Sequence, residues 1–356
     1  MPTILFVCKS DRYSGAENVI CTIIKNVSER YQCIYMSADG FIRDKLSELG
    51  IKHYLVESVT ALSLGKAVKK YKPDIIHAND FSASCLAALY GRKIKVISHL
   101  HCNPVWLGKI CSRTVIYALV CRDFYRILLV SDSIYDEFIF KKRMGGKYEV
   151  IGNPFDKQRV IQEVDRDKAW DDKKYICDLL YVGRLSEEKG VMDFIEIVAK
   201  VREGCKNIKA FIVGAGELKE KCEDRIKRLE LENNIVMKGF QSNPYNYMYG
   251  ARVLIVPSLW EGFGLVAVEA MAFGKPVIAR KAGGLAGLVT DHAGVLIEDK
   301  DFVEKAADAA FHLLADADYY ISKSAGAMDR ADECDNIPSY IKNIEKIYDS
   351  GLKAAI

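Results

Sequence analysis

Short apolar runs recur along this chain, each followed by a turn or a helical stretch, and that alternation limits it to few architectures. In the first half the strand candidates are Ile4–Cys8, Cys33–Ser37, Lys52–Val56, Asp74–His77, Lys95–Leu100, Ile127–Val130 and Tyr148–Ile151. Helical stretches such as Ala16–Ser28 and Phe81–Tyr90 lie between them. Strand then helix, repeated, argues for parallel strands with helices on both faces of the sheet. The rhythm breaks from Asp156 to Lys174, where DKQRVIQEVDRDKAWDDKK reads as a linker or an excursion between domains. It resumes with DLLYVGR, AFIVGAG, IVMKGF, RVLIVPS, PVIA and GVLIED. The expectation is an α/β chain of two doubly wound units, residues 1–155 and 175–335. A final helical stretch within 336–356, centred on Pro338–Tyr348, would pack back on one of them, with the amino-terminal unit the expected partner. Open parallel sheets bind ligands at the carboxyl ends of their strands, so the site is expected in a cleft between the units. A length of 356 residues fits two domains, each with its own core.

Composition removes several classes. The apolar runs are strand-sized, far short of the ~20 residues a membrane span needs. The opening MPTILFVCKS has no basic region ahead of a long apolar stretch, so no secretory signal is expected. Eleven cysteines, an odd number with no CxxC pair, point to reduced thiols and a cytoplasmic setting. Net charge is only +3 but uneven: residues 1–150 hold 22 Lys and Arg against 14 Asp and Glu, while the remainder holds 29 against 34. Most of the amino-terminal excess lies in Arg92–Lys147, with 11 basic and 4 acidic residues, which points to an anionic partner.

The chemistry concentrates where strands of the second unit end. GRLSEEKG puts Arg184 at a strand end and Lys189 just before a helix; AFIVGAGE puts Gly214 and Gly216 at the next. LWEGFGLVAVEA puts Glu261, Gly262 and Gly264 in a turn and Glu269 within the following helix. Amides at a helix start favour an anion by only about 0.3 to 1 kcal/mol, too little to hold a diphosphate. Arg184 and Lys189 would complete such a site, one as a planar fork and one as a point charge. Glutamates facing phosphate would weaken binding, so Glu261 and Glu269 are expected to accept hydrogen bonds from hydroxyls. A diphosphate flanked by two hydroxyl-bearing rings is a nucleotide sugar.

The series GRLSEEKG, FIVGAGE, KGF and EGFGLVAVEA, with SGAENVI after the first strand, resembles the retaining glycosyltransferases of family 4, across the whole chain. Its most specific part is the Glu, seven residues, Glu spacing from Glu261 to Glu269. The resemblance implies a GT-B fold of two Rossmann-like domains, with the acceptor side in the first and the nucleotide-sugar side in the second. It places Glu261 near the donor sugar, Glu269 near the donor ribose, and Arg184 and Lys189 at the diphosphate. Gly15 would let backbone approach the donor phosphate; amides around Phe263, Gly264 and Leu265 would contact sugar or phosphate; the segment near Phe240 would face the base. VISHLH resembles the family strand that ends in a histidine at the reaction centre, which fits His101 better than His99. The implied reaction is hexose transfer, with retention, from a nucleotide sugar (a UDP-sugar as the first choice) to a glycan or lipid-linked acceptor in surface polysaccharide or glycolipid synthesis. No cofactor and no metal are expected, since DRD at Asp165 falls in the polar linker and DAD at Asp316 at a helix end.

Rival readings remain. A nucleotide-sugar epimerase of similar shape would consume donor without acceptor, and a non-catalytic GT-B partner subunit would keep only the fold. A dinucleotide-dependent oxidoreductase is disfavoured because Lys219 stands where a third glycine belongs. The two histidines could be core residues or a metal pair lacking further ligands. Val105–Ile127 interleaves apolar residues with Lys109, Arg113, Arg122 and Arg126. It reads either as a basic surface for the anionic inner face of a cell membrane or as a buried crossover helix. No nucleic-acid-binding module is recognisable, and nucleic acid is not an expected partner.

Overall fold

A computed structural model describes residues 1–164 and 174–353. The chain forms two units, Met1–Pro154 with Asn336–Ile356, and Phe155–Asp335. In the first, seven strands, β1 (Thr3–Val7), β2 (Gln32–Ala38), β3 (His53–Val56), β4 (Ile75–Asn79), β5 (Lys95–Leu100), β6 (Arg126–Leu129) and β7 (Tyr148–Val150), form one parallel sheet in the order β3-β2-β1-β4-β5-β6-β7. In the second, β8 (Cys177–Val182), β9 (Ala210–Val213), β10 (Ile235–Gly239), β11 (Ala251–Val256), β12 (Val277–Arg280) and β13 (Gly294–Ile297) are parallel in the order β10-β9-β8-β11-β12-β13. Both are doubly wound sheets whose strand order reverses beside their first strand, between β1 and β4 and between β8 and β11. Crevices open there, beyond the carboxyl ends.

Period-two alternation splits the second unit's core into two layers. Leu180, Phe211, Leu254 and Val277 face one, with the helices Leu265–Met271 and Ala317–Cys334. Leu179, Ile212, Val253 and Ile278 face the other, with the helices Val191–Gly204 and Phe302–Ala315. Such strands read as continuous apolar runs because both faces are covered.

The expected linker needs correction at its start. Residues 157–162 form a helix, and Phe155, Val160 and Val164 are buried in the second unit's core. Asp156 caps that helix by accepting a bond from the Arg159 amide at 2.8 Å. Three apolar residues among charges suffice to anchor a short helix, and composition alone conceals them. The remainder of the linker reading, including DRD at Asp165, lies outside the described residues. Asp316 of the second DxD accepts the Tyr319 amide at 2.9 Å and so caps the helix Ala317–Cys334.

The helix Ile337–Lys353 belongs to the first unit. It buries Tyr340, Ile341, Ile344, Ile347 and Tyr348 along one stripe. Its polar edge reaches Arg30 through Glu345 and Asp349, both at 3.0 Å, and Asp349 also accepts the Tyr31 hydroxyl at 2.5 Å.

Candidate functional site

In the second unit, the loops after β8 and β11 meet at the switch point. Lys189 Nζ donates to Glu261 Oε2 at 2.6 Å, and Ser258 Oγ reaches the same oxygen at 3.4 Å. The Leu259 amide donates to the Glu188 carbonyl at 2.9 Å, which joins the two loops through backbone. Arg184 lies beside them with its side chain 54% exposed and, among the described residues, a 3.4 Å contact to Glu188. So Lys189 and Glu261 are brought together, while Arg184 stands open to a ligand. The Tyr181 hydroxyl donates to the Arg184 carbonyl at 2.6 Å and fixes that turn from beneath.

Glycines allow the loops to approach. Gly214, with φ of 149°, follows β9, and a Cβ there would lie 1.8 Å from the Gly183 carbonyl oxygen. Gly264 starts the helix Leu265–Met271 at φ 99°, a conformation that any other residue would adopt with strain. That helix has seven residues, so its dipole contributes modestly. Phe263 and Leu265 are half-buried against the core, and Phe240 stands exposed beyond β10.

Glu269 is half-buried within that helix, and the Tyr245 hydroxyl donates to its Oε1 at 3.2 Å. Burial pushes its carboxyl up to about 7, against the smaller lowering effect of that hydrogen bond. A carboxyl with one hydroxyl donor has acceptor capacity left for neighbouring hydroxyls.

Arg280 was not legible as a site residue. It ends β12 buried, bonds the carboxylates of Asp193 and Asp299, lies over the Phe302 ring at 4.0 Å, and donates to the Pro257 carbonyl at 3.2 Å. It thereby anchors the end of β11, four residues before Glu261. An arginine closing the apolar run PVIAR was the available signal.

The first unit assembles a second polar group at the ends of β1, β4 and β5. Gly15 opens the helix Gly15–Val27, and buried Glu17 holds the loop before it, accepting Ser14 N at 3.0 Å, Ser14 Oγ at 2.5 Å and Cys8 Sγ at 3.3 Å. Three buried imidazoles follow one another: His77 Nδ1 meets the Tyr348 hydroxyl at 2.7 Å, His77 Nε2 meets His99 Nδ1 at 3.2 Å, and the His99 and His101 rings lie 4.0 Å apart. Burial holds His77 down at about 3, His101 at about 4 and His99 well below its ordinary value, so all three are neutral near pH 7.

The tautomer of His101 follows from its partner. The Asn79 amide nitrogen donates to the Val7 and His77 carbonyls, so its oxygen accepts, and His101 donates from Nε2 at 2.9 Å. His101 Nδ1 is then an acceptor, buried and without a partner among the described residues. The Tyr348 hydroxyl and His77 Nδ1 share one hydrogen bond and His77 Nε2 and His99 Nδ1 share the next, while His99 Nε2 is buried and also without a partner among the described residues. His77 and His99 thus spend their facing nitrogens on each other, and among the described residues no three His, Cys, Asp or Glu groups converge as metal ligands.

Asp80 completes the group. Its φ of 68° and ψ of 168° lie in a region that costs on the order of 1 to 3 kcal/mol for a residue with a side chain. Its carboxylate accepts the His101 amide at 3.0 Å, and burial raises its pKa. The sequence reading missed His77, Asn79, Asp80 and Tyr348. IHAND at the end of an apolar run was the signal for the first three.

Comparison with known proteins agrees with this architecture. The family model for glycosyl transferases group 1 matches residues 160–327, and that for Glycosyltransferase Family 4 matches residues 13–159. These adjacent matches together span residues 13–327, and with the two doubly wound sheets they give the chain the GT-B fold of the glycosyltransferases it resembles. Among particular relatives, an uncharacterized glycosyltransferase of Methanocaldococcus jannaschii is 27% identical over 231 residues, 60% of this chain and 57% of its own length. The N-acetylgalactosamine-N,N'-diacetylbacillosaminyl-diphospho-undecaprenol 4-alpha-N-acetylgalactosaminyltransferase of Campylobacter jejuni is 32% identical over 154 residues, 43% of this chain and 40% of its own. The crystal structure of Anabaena HepE in complex with UDP and glucose superposes with a TM-score of 0.85 at 22% identity, covering 98% of this chain and 100% of that one.

Proposed function

We propose that the protein is a retaining glycosyltransferase of family 4 that moves a hexose from a UDP-sugar to a glycan or lipid-linked acceptor, in the cytoplasm at the inner face of a membrane. The observation that carries this is the 2.6 Å pairing of Lys189 with Glu261 beside an open Arg184, at the carboxyl ends of β8 and β11. On this reading Arg184 and Lys189 take the diphosphate, releasing Glu261 to accept sugar hydroxyls, while Glu269 accepts the ribose hydroxyls. Phe240 lies toward the base. Backbone at Gly15, Gly214, Phe263, Gly264 and Leu265 approaches phosphate and sugar. His101 stands at the reaction centre, where its Nδ1 can accept a hydrogen bond from a hydroxyl. The Anabaena complex with UDP and glucose supports the donor class, and the undecaprenol-linked substrate named for the Campylobacter relative supports a lipid-linked acceptor.

The reaction breaks the bond between the anomeric carbon and the diphosphate oxygen, which leaves with the electron pair. The acceptor hydroxyl oxygen bonds the same carbon on the same face, and its proton passes to the departing phosphate. Charge growing on that phosphate meets Arg184 and Lys189, fixed donors where charge develops. No protein nucleophile and no metal are assigned to the step.

The test is thermal shift against UDP, GDP, ADP, CDP and NAD, repeated on Arg184→Ala and Glu269→Ala, followed by transfer assays with the donor sugar. Stabilisation by UDP that both variants weaken is the expected result. A response to NAD alone, or to none of them, overturns the reading. Donor consumed without an acceptor favours the epimerase, and binding without turnover the non-catalytic subunit.

A further inference from the structure

The segment that leaves β5 carries polar atoms that the donor chemistry does not use. Asn103 is 1% exposed, and its Nδ2 donates to the Glu137 carboxylate at 2.9 Å. The reverse orientation of that amide would set its carbonyl against the carboxylate, so Oδ1 is the free atom, and it is buried without a partner among the described residues. Two residues earlier, His101 Nδ1 is in the same state and is likewise an acceptor. Buried acceptors are seldom left unmet in native proteins, and two within three residues at the carboxyl end of a strand call for a donor from outside the chain. Glu137 ends the helix Asp132–Glu137, which follows β6, the strand beside β5. A carboxylate in a last turn opposes the helix dipole, so helix stability does not explain it. Nor does the segment need Glu137 to hold it: the Leu107 amide donates to the Pro104 carbonyl at 2.8 Å, the Ile139 amide to the Leu107 carbonyl at 3.1 Å, and Leu107 is fully buried. Glu137 is exposed while Asn103 and His101 are buried, so the group has one end in solvent.

We infer that Asn103 and Glu137, with Nδ1 of His101, form a recess that reads ring hydroxyls of the sugar to which the hexose is transferred. Its free atoms all accept, so it repels phosphate and suits a ligand offering several O–H donors, as a sugar ring does. Position favours the accepting sugar over the donor sugar: Arg184, Lys189, Glu261 and Glu269 lie in the second unit, whereas this recess lies wholly in the first and opens through Glu137. A ring whose hydroxyl is missing or turned to the other face leaves a buried carbonyl unmet, so the recess discriminates between epimers. The role as acceptor rests on the transferase reading; affinity of the recess for a sugar does not.

The test is saturation-transfer NMR on the full chain without nucleotide, with the methyl glycosides of glucose, galactose, mannose and N-acetylglucosamine as probes. One epimer should bind ahead of the others, and its Kd should rise about tenfold in Asn103→Ala and in Glu137→Ala while melting temperatures and the UDP response hold. Glu137→Gln keeps an oxygen for the Asn103 amide and should restore most of that affinity. Glycoside binding of this pattern together with no UDP response upholds the recess and sinks the donor reading alone. Four results overturn the inference: no glycoside bound by the wild type, equal affinities in wild type and variants, affinity lost only in step with melting temperature, as for a bond that merely pins the loop, or a UDP-glucose response weakened while glycoside binding stays.

Discussion

Glu269 has a carboxyl whose pKa rises from 4.5 to about 7 on folding, so the native state binds its proton more tightly than the unfolded chain does. Stability is therefore lost as pH rises from about 4.5 to about 7 and is level beyond, because the charged form is the one burial penalises. Glu269→Gln keeps an acceptor for Tyr245 without the charge. The variant should match wild type near pH 4 and exceed it by roughly 3 kcal/mol near pH 8, read by urea unfolding, while its UDP response weakens. An equal gap at both pH values would show that this carboxyl titrates normally. Asn79 sets a second residue-scale device. Asn79→Leu removes the acceptor for His101 Nε2–H, so nitrogen NMR should show His101 passing from one neutral tautomer to a mixture, whereas a purely structural asparagine would leave its nitrogen shifts unmoved.

The helix Ile337–Lys353 inserts a hydroxyl into the histidine group at the element scale. Tyr348→Phe keeps the ring's packing and leaves His77 Nδ1 buried without its hydroxyl partner, which should destabilise the first unit by about 1 to 3 kcal/mol in denaturant unfolding. The loss should exceed that of Tyr125→Phe, whose hydroxyl makes an exposed bond to Ser350. Apolar runs read directly as strands, Lys95–Leu100 to the residue and the strand Ala210–Val213 within AFIVGAG, because strands covered on both faces are mostly apolar. The amphipathic stripe of Pro338–Tyr348 showed that a helix buries a face without showing against what, since periodicity records a face and not its partner. Residues 157–162 hid among charges for the opposite reason: one buried position in a single short turn leaves no period to read. Within the candidate site, the pairing loops that hold Lys189 and Glu261 were legible because glycine turns mark strand ends. Arg280 and Tyr348 were not, since each acts through a neighbour distant in sequence.

The chain enters the first unit, leaves it at Pro154, builds the second, and returns at Asn336, so the first unit is complete only when the last residues have folded. Each sheet closes its own core, and the two units are expected to melt as separate cooperative blocks rather than as one. Deleting residues 336–356 removes Tyr348 from His77 and strips Ile344 and Ile347 from the first unit's surface, while every strand of the second remains. Differential scanning calorimetry should then show one transition shifted far down and the other unmoved. UDP should raise only the transition that deletion leaves in place, because Arg184, Lys189, Glu261 and Glu269 all lie in the second unit. If UDP instead stabilises the transition that the deletion lowers, the nucleotide depends chiefly on the first unit, and the roles given to those four residues fail together.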